Sequence, residues 1–190
     1  AAYRSGLFPM PIGRRRLGWW SPDPRGVIPV GPRAVAAGTA LHVSRSLRRS
    51  LRRFTATVDA DFEAVMRACG DPRRPHGWID ENFVGAYTEL HRRGWAHSVE
   101  VWEDDRLVGG VYGVSIGAFF AGESMFHRAT DASKAALVHL TDRFAHVEHA
   151  LFDVQWLTPH LASLGAVEIP RSEYLTRLAS AVSRPVDPFS

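Results

Sequence analysis

The chain has 190 residues, 45% hydrophobic and 11% aromatic, enough for one good core with a small satellite lobe and too apolar for a disordered or collagen-like chain. Its formal net charge of +3 is unevenly placed: residues 1–53 hold eleven arginines against Asp23 alone, a charge of +10, and the remainder carries −7. A basic arm on an acidic body is the footprint of a phosphate-backbone binder, and no apolar run reaches the roughly 18 residues of a membrane span.

Residues 1–40, rich in Gly, Pro and Arg, read as loops and short strands wrapped on a body, with Trp19 and Trp20 as buried anchors. Phe62, Val65, Met66 and Cys69 fall at helical spacing, and Pro72 ends that stretch. A second helix is predicted near Asn82–Arg93, with Phe83, Tyr87 and Leu90 on one stripe and Gly94 as its stop. Residues 97–103 alternate, Asp104 and Asp105 make a turn, 107–116 complete a hairpin and 118–121 lead into a third strand. Thr130 or Asp131 can cap a helix to about His146 with Ala136, Leu137, Leu140 and Phe144 inward. A strand at 150–156, a short helix near 158–164, a strand near 166–169 and a helix from Ser172 to Val182 complete the chain. Cys69 is the only cysteine, so no internal disulfide forms; with no apolar leader in Ala1–Arg4, a cytoplasmic protein is expected.

Two runs place carboxylates among apolar neighbours: Gly122-Glu123-Ser124-Met125-Phe126 and Phe152-Asp153-Val154-Gln155. On a strand, Asp153 and Gln155 share one face and Val154 takes the other. A carboxylate beside a carboxamide, with no Cys, Ser-His pair or metal cluster nearby, suits amine chemistry better than hydrolysis. The same spacing also serves a turn cap and a strand end. Buried Glu123 needs a cation or donors, either a ligand guanidinium or an internal partner such as Arg128 or the Ser124 main chain. Lys134, in the first turn of its helix, is poorly placed for the macrodipole and needs an acid or a phosphate beside it. Arg45, Arg48, Arg49, Arg52 and Arg53 cluster on a short segment suited to a nucleic-acid backbone, or to plain solvation.

These runs, with Gly6-Leu7-Phe8-Pro9-Met10, Trp19 to Arg25, Leu41 to Ser46, Gly77-Trp78-Ile79, Ala96 to Trp102, Leu107 to Val114, Ala132-Ser133-Lys134 and His160 to Ala166, resemble the leucyl/phenylalanyl-tRNA–protein transferases in the family's order. The resemblance implies transfer of Leu, Phe or, less well, Met from aminoacyl-tRNA to the α-amine of proteins beginning with Arg or Lys, which marks them for degradation. It implies no metal or cofactor, and a mixed α/β (α+β) GNAT-like acyltransferase fold, with a basic N-terminal lobe at 1–60 and a catalytic domain at 61–190. By the same resemblance Asp153 and Gln155 are catalytic, and Glu123 and Ser124 bind the acceptor. Val111, Met125, Leu137, Leu140, Phe144 and Phe152 line the donor side-chain pocket. Trp78 and Met10 meet the terminal adenosine, Met10 standing where the family often has Trp, and His160 and Ser163 lie near the site. Family members usually begin some thirty residues further upstream. Val154 stands where the family usually has Cys, and Phe152 where it often has an aliphatic residue.

Two rivals are weaker. An acetyl-CoA N-acetyltransferase needs a glycine-rich pyrophosphate loop before the central helix, whereas residues 128–133 hold no glycine and carry Asp131. A non-catalytic RNA-binding module fits the basic arm but leaves Glu123, Asp153 and Gln155 without a task. Metal hydrolysis lacks both cysteine partners and an HExxH pattern, despite His146 and His149 at i, i+3.

Overall fold

The computed structural model describes residues 1–13, 16–73 and 79–190. After a short 3-10 turn at Ala2–Ser5, the chain forms β1 (Phe8–Gly13), β2 (Arg16–Trp20), β3 (Arg25–Ile28), α1 (Gly31–Ala37), α2 (Arg45–Leu51), β4 (Thr55–Val58), α3 (Phe62–Cys69) and α4 (Glu81–Arg92). It continues through β5 (Ala96–Glu103), β6 (Arg106–Ile116), β7 (Phe119–His127), α5 (Ala132–Arg143), β8 (Leu151–Gln155), α6 (Pro159–Ala162), β9 (Val167–Ile169) and α7 (Arg171–Val182). This is a mixed α+β protein.

The described residues form two compact units that interleave in sequence, so neither coincides with a lobe at 1–60 or a domain at 61–190. The first comprises residues 1–42, 116–121 and 145–188. Its sheet is mixed: β8 runs parallel to the start of β7 and antiparallel to β3, which pairs antiparallel with β9. The β7–β8 ladder ends at Ala121 and Asp153. Tyr174, Leu178 and Ala181, at i, i+4 and i+7, form the buried stripe of α7. β1 and β2 pair as a separate two-stranded ribbon. Here the expected burial fails: Trp19 is 54% and Trp20 46% exposed, because a two-stranded ribbon has two faces and too little chain to cover both.

The second unit comprises residues 43–115, 122–144 and 189–190. β4, β5, β6 and the rest of β7 follow one another in its sheet, and α5 packs against β5. Asp104 and Asp105, both left-handed with φ of 48° and 60°, make the two-residue turn whose twist suits the β5–β6 hairpin. Ser44, Asp61 and Asp80 cap α2, α3 and α4 by accepting main-chain N–H bonds of 3.0–3.1 Å. On α4 the buried residues are Val84 and Tyr87, with Phe83 and Leu90 only half-covered. Helices α1 and α2 lie where sequence periodicity is weakest and only loops, short strands and an arginine-rich segment were expected. Among the described residues no helix is long and apolar enough to cross a membrane.

Candidate functional site

Strand β8 carries the centre of the site in the first unit. Asp153 is fully buried and opposes Val27 of β3. Arg25, 1% exposed at the start of β3, meets it side-on: Nε donates to Oδ1 at 2.8 Å and Nη2 to Oδ2 at 2.6 Å. The remaining Nη1 donates to the Gly6 carbonyl at 3.1 Å. The guanidinium also lies over two rings, 4.8 Å from the centroid of Phe8 and 4.4 Å from that of Tyr174. Tyr174 donates its hydroxyl to Asp153 Oδ2 at 2.9 Å. Burial, then the Asp153 charge, pushes the Tyr174 phenol well above its usual range.

The second Asp153 oxygen shapes the end of the strand. Oδ1 accepts the main-chain N–H of Gln155 at 2.9 Å, and Gln155 adopts a left-handed φ of 61° that a residue with a Cβ rarely takes. Trp156 N–H then donates to the Val154 carbonyl at 2.7 Å, closing a tight elbow. Gly26 makes the elbow possible: a Cβ there would stand 2.8 Å from the Trp156 carbonyl carbon and 2.9 Å from the Leu157 nitrogen. Gln155 is 8% exposed, and its carboxamide nitrogen is buried with no partner among the described residues. A buried donor without an acceptor is costly, and a ligand oxygen would satisfy it.

Asp153 accepts four donors, from Arg25 twice, Tyr174 and the Gln155 main chain, so its carboxylate is already engaged within the protein. It reaches Gln155 through the backbone and not through the carboxamide. Arg25, counted by charge with the basic arm, is buried and cannot touch a phosphate. Sequence reasoning missed Arg25 and Tyr174 as site residues. The available signal was the buried carboxylate itself, which demands a cation, and a phenol within the apolar stripe of α7.

In the second unit Glu123, Ser124 and Met125 are half-buried on β7, less enclosed than their apolar neighbours implied. Tyr87 donates to Glu123 Oε2 at 3.2 Å. Arg128, the internal partner considered from sequence, instead donates to the Leu107 carbonyl at 3.2 Å and lies over the Phe126 ring. Val111, Leu137, Leu140 and Phe144 are all buried in this unit, as core. Phe152, in the first unit, is buried edge-to-face with Phe120 at 5.2 Å. A cavity of about 550 Å³ in the first unit, floored by Val27, Ile28, Leu151 and Ile169, includes none of these pocket positions.

Of the tRNA candidates, Met10 is half-buried on β1 opposite Gly18, and Trp78 lies outside the described residues. Arg45, Arg48, Arg49 and Arg52 are exposed on α2 and at its end. Arg53 is exposed too, but engaged with Glu103 at 2.6 Å. Lys134 is compensated by an acid, donating to Asp131 at 2.8 Å. Asp131 is left-handed and does not cap α5 with its side chain; it also accepts from Ser50 at 2.8 Å. Ser163 donates to the His160 carbonyl at 2.7 Å, a helix-end contact. Among the described residues no group of three or more His, Cys, Asp or Glu is placed to hold a metal ion.

These features define a mixed α+β protein whose strand β8 ends in a buried polar elbow. The family model described as leucyl/phenylalanyl-tRNA protein transferase matches residues 35–179, and that of the family's N-terminal domain matches residues 1–23. The chain is 50% identical to the leucyl/phenylalanyl-tRNA–protein transferase of Paramagnetospirillum magneticum, over 96% of this chain and 86% of that protein. It is 44% identical to the same-named protein of Pseudoalteromonas atlantica (98% and 78%) and 48% identical to that of Ruegeria pomeroyi (97% and 85%). The chain belongs to the leucyl/phenylalanyl-tRNA–protein transferase family.

Proposed function

We propose that this chain transfers leucine or phenylalanine, and methionine less readily, from aminoacyl-tRNA to the α-amine of proteins that begin with Arg or Lys, marking them for degradation in the cytoplasm. The reaction is aminolysis of an activated ester. The amine nitrogen attacks the ester carbonyl carbon, a peptide C–N bond forms, and the C–O bond to the terminal ribose breaks. The amine gives up a proton and the ribose oxygen takes one. Because an α-amine has a pKa of roughly 7.7–8.0, a modest push makes it nucleophilic near neutral pH. The protein's task is orientation and desolvation.

Gln155 is the group we place against the reacting atoms. Its carbonyl oxygen accepts a hydrogen bond from the attacking amine, and its unpartnered nitrogen is left for an oxygen of the substrate. Asp153 is a positioning residue, holding the elbow through the Gln155 main chain while Arg25 and Tyr174 hold it. The observation that carries this reading is the buried Gln155 carboxamide nitrogen, without a partner among the described residues, on a residue with a left-handed main chain. Glu123, oriented by Tyr87, serves the cationic side chain of the acceptor. We read the parallel β7–α5–β8 crossover as the centre of a GNAT-like fold put to aminoacyl transfer. Coenzyme A is disfavoured because the Asp131 carboxylate, fixed by Lys134 and Ser50, sits at the start of α5 where its phosphates would go.

Single-turnover transfer from charged tRNA tests the assignment. Gln155→Ala is expected to slow it by about 10²-fold or more with charged-tRNA affinity retained. A Gln155→Ala enzyme that transfers at the wild-type rate would remove Gln155 from the chemistry.

A further inference from the structure

Four aromatic residues of the first unit form a series that the reaction as described does not use. Trp156, the residue directly after Gln155, is 42% exposed, and its ring meets Phe8 edge-to-face at 5.1 Å and 86°. Phe8 is buried and pinned by the Arg25 guanidinium on its ring. It is also the register partner of Trp20, itself 46% exposed, and Trp19 beside it is 54% exposed. An exposed indole costs solvation free energy, and three within one unit mark a contact surface.

We propose that Trp156 and Trp20 form a stacking platform for the unpaired bases that precede the esterified nucleotide of the donor tRNA. This rests on the transfer reading above. Three observations favour a nucleic-acid single strand over an apolar protein partner. The platform begins one residue from Gln155, where the ester must lie, so the strand carrying that ester passes it. Arg16 of β2, on the same ribbon, is exposed and presents a cation complementary to a phosphate backbone. The rings are also held rigidly: Gly26 lets the Trp156 main chain close over β3, and Phe8 is locked between Trp156 and Arg25. A rigid aromatic face stacks on any base, since every base has a π-face.

The test is the steady-state KM for leucyl-tRNA together with quenching of tryptophan fluorescence by the oligonucleotide ACCA, on the full chain. Trp156→Ala and Trp20→Ala are each expected to raise KM about tenfold and to reduce quenching, with the salt slope of tRNA binding unchanged, because stacking releases no counterions. Trp156→Phe should restore most of the loss, which a merely structural role for Trp156 would not require. Wild-type transfer with KM unchanged in both alanine variants would overturn the platform and leave the transfer reading intact. Tryptophan-dependent dimerisation with unchanged KM would assign the surface to a second copy of the chain and overturn it equally. Absence of both transfer and tRNA binding in the wild type would remove the transfer reading and this inference with it.

Discussion

Arg25 and Asp153, 128 residues apart in sequence, meet through two hydrogen bonds of 2.8 and 2.6 Å with both side chains essentially inaccessible to water. The pair ties the start of β3 to the end of β8 and sets the elbow from which Gln155 projects. A buried pair of this geometry adds little net stability over an apolar pair, yet removing one member leaves a buried charge unmatched.

From sequence alone, Asp153→Ala is a variant that loses transfer and keeps its stability. The buried guanidinium reverses the second half. Asp153→Asn should destabilise the protein by about 3–5 kcal/mol, because Arg25 then lies buried against a neutral group. Chemical denaturation checks this, and a midpoint equal to wild type would show that Arg25 is rehydrated.

Tyr174 gives the same cluster a pH signature. Its phenol, near 10.0 in the unfolded chain, is raised in the folded one by burial first and by the Asp153 charge second. A raised pKa contributes stability that is full below pH 10 and is lost as the pH climbs from there towards the folded value. Tyr174→Phe should lower stability by about 1–3 kcal/mol at pH 8 through the lost hydrogen bond to a charged group. It should also fall less steeply than wild type above pH 10. Parallel melting curves for the two proteins across that range would contradict the assignment.

Gly26→Ala brings a methyl group to 2.8 Å from the Trp156 main chain, where no flexible side chain can yield. The elbow must shift, at about 1–3 kcal/mol of stability. Transfer should fall by more than the stability loss explains at a temperature where the variant is fully folded. A fully active Gly26→Ala protein would mean that the position of Gln155 is not critical.

Arg48 and Arg49 stand in the last turn of α2, exposed, where they also complement the helix dipole. If they contact phosphates, the double alanine variant should reduce the slope of log affinity against log salt by about 2. An unchanged slope would leave them as dipole partners and move the phosphate contacts elsewhere.

Much of this fold is written locally. The α3 stripe of Phe62, Val65, Met66 and Cys69, the Asp104–Asp105 turn and the inward Leu137, Leu140 and Phe144 follow from periodicity and turn chemistry, and each is found in place. The strand expected at 150–156 is found as β8. What spacing could not give was the left-handed turn at Gln155, which depends on Gly26 from another strand, or the clamp on Asp153, built from residues 128 and 21 positions away. Composition misled twice: Arg25 counted as arm charge while its environment made it core, and paired tryptophans suggested burial on a ribbon where both are about half exposed.

The most direct measurement is transfer of radiolabelled leucine or phenylalanine from charged tRNA to a peptide beginning with Arg, beside the same peptide beginning with Ala. The account predicts label on the Arg peptide only, with transfer slowed about 10²-fold or more by Gln155→Ala. Equal labelling of both peptides would contradict the acceptor role given to Glu123, and labelling of neither, with folded protein and intact charged tRNA, would contradict the account as a whole.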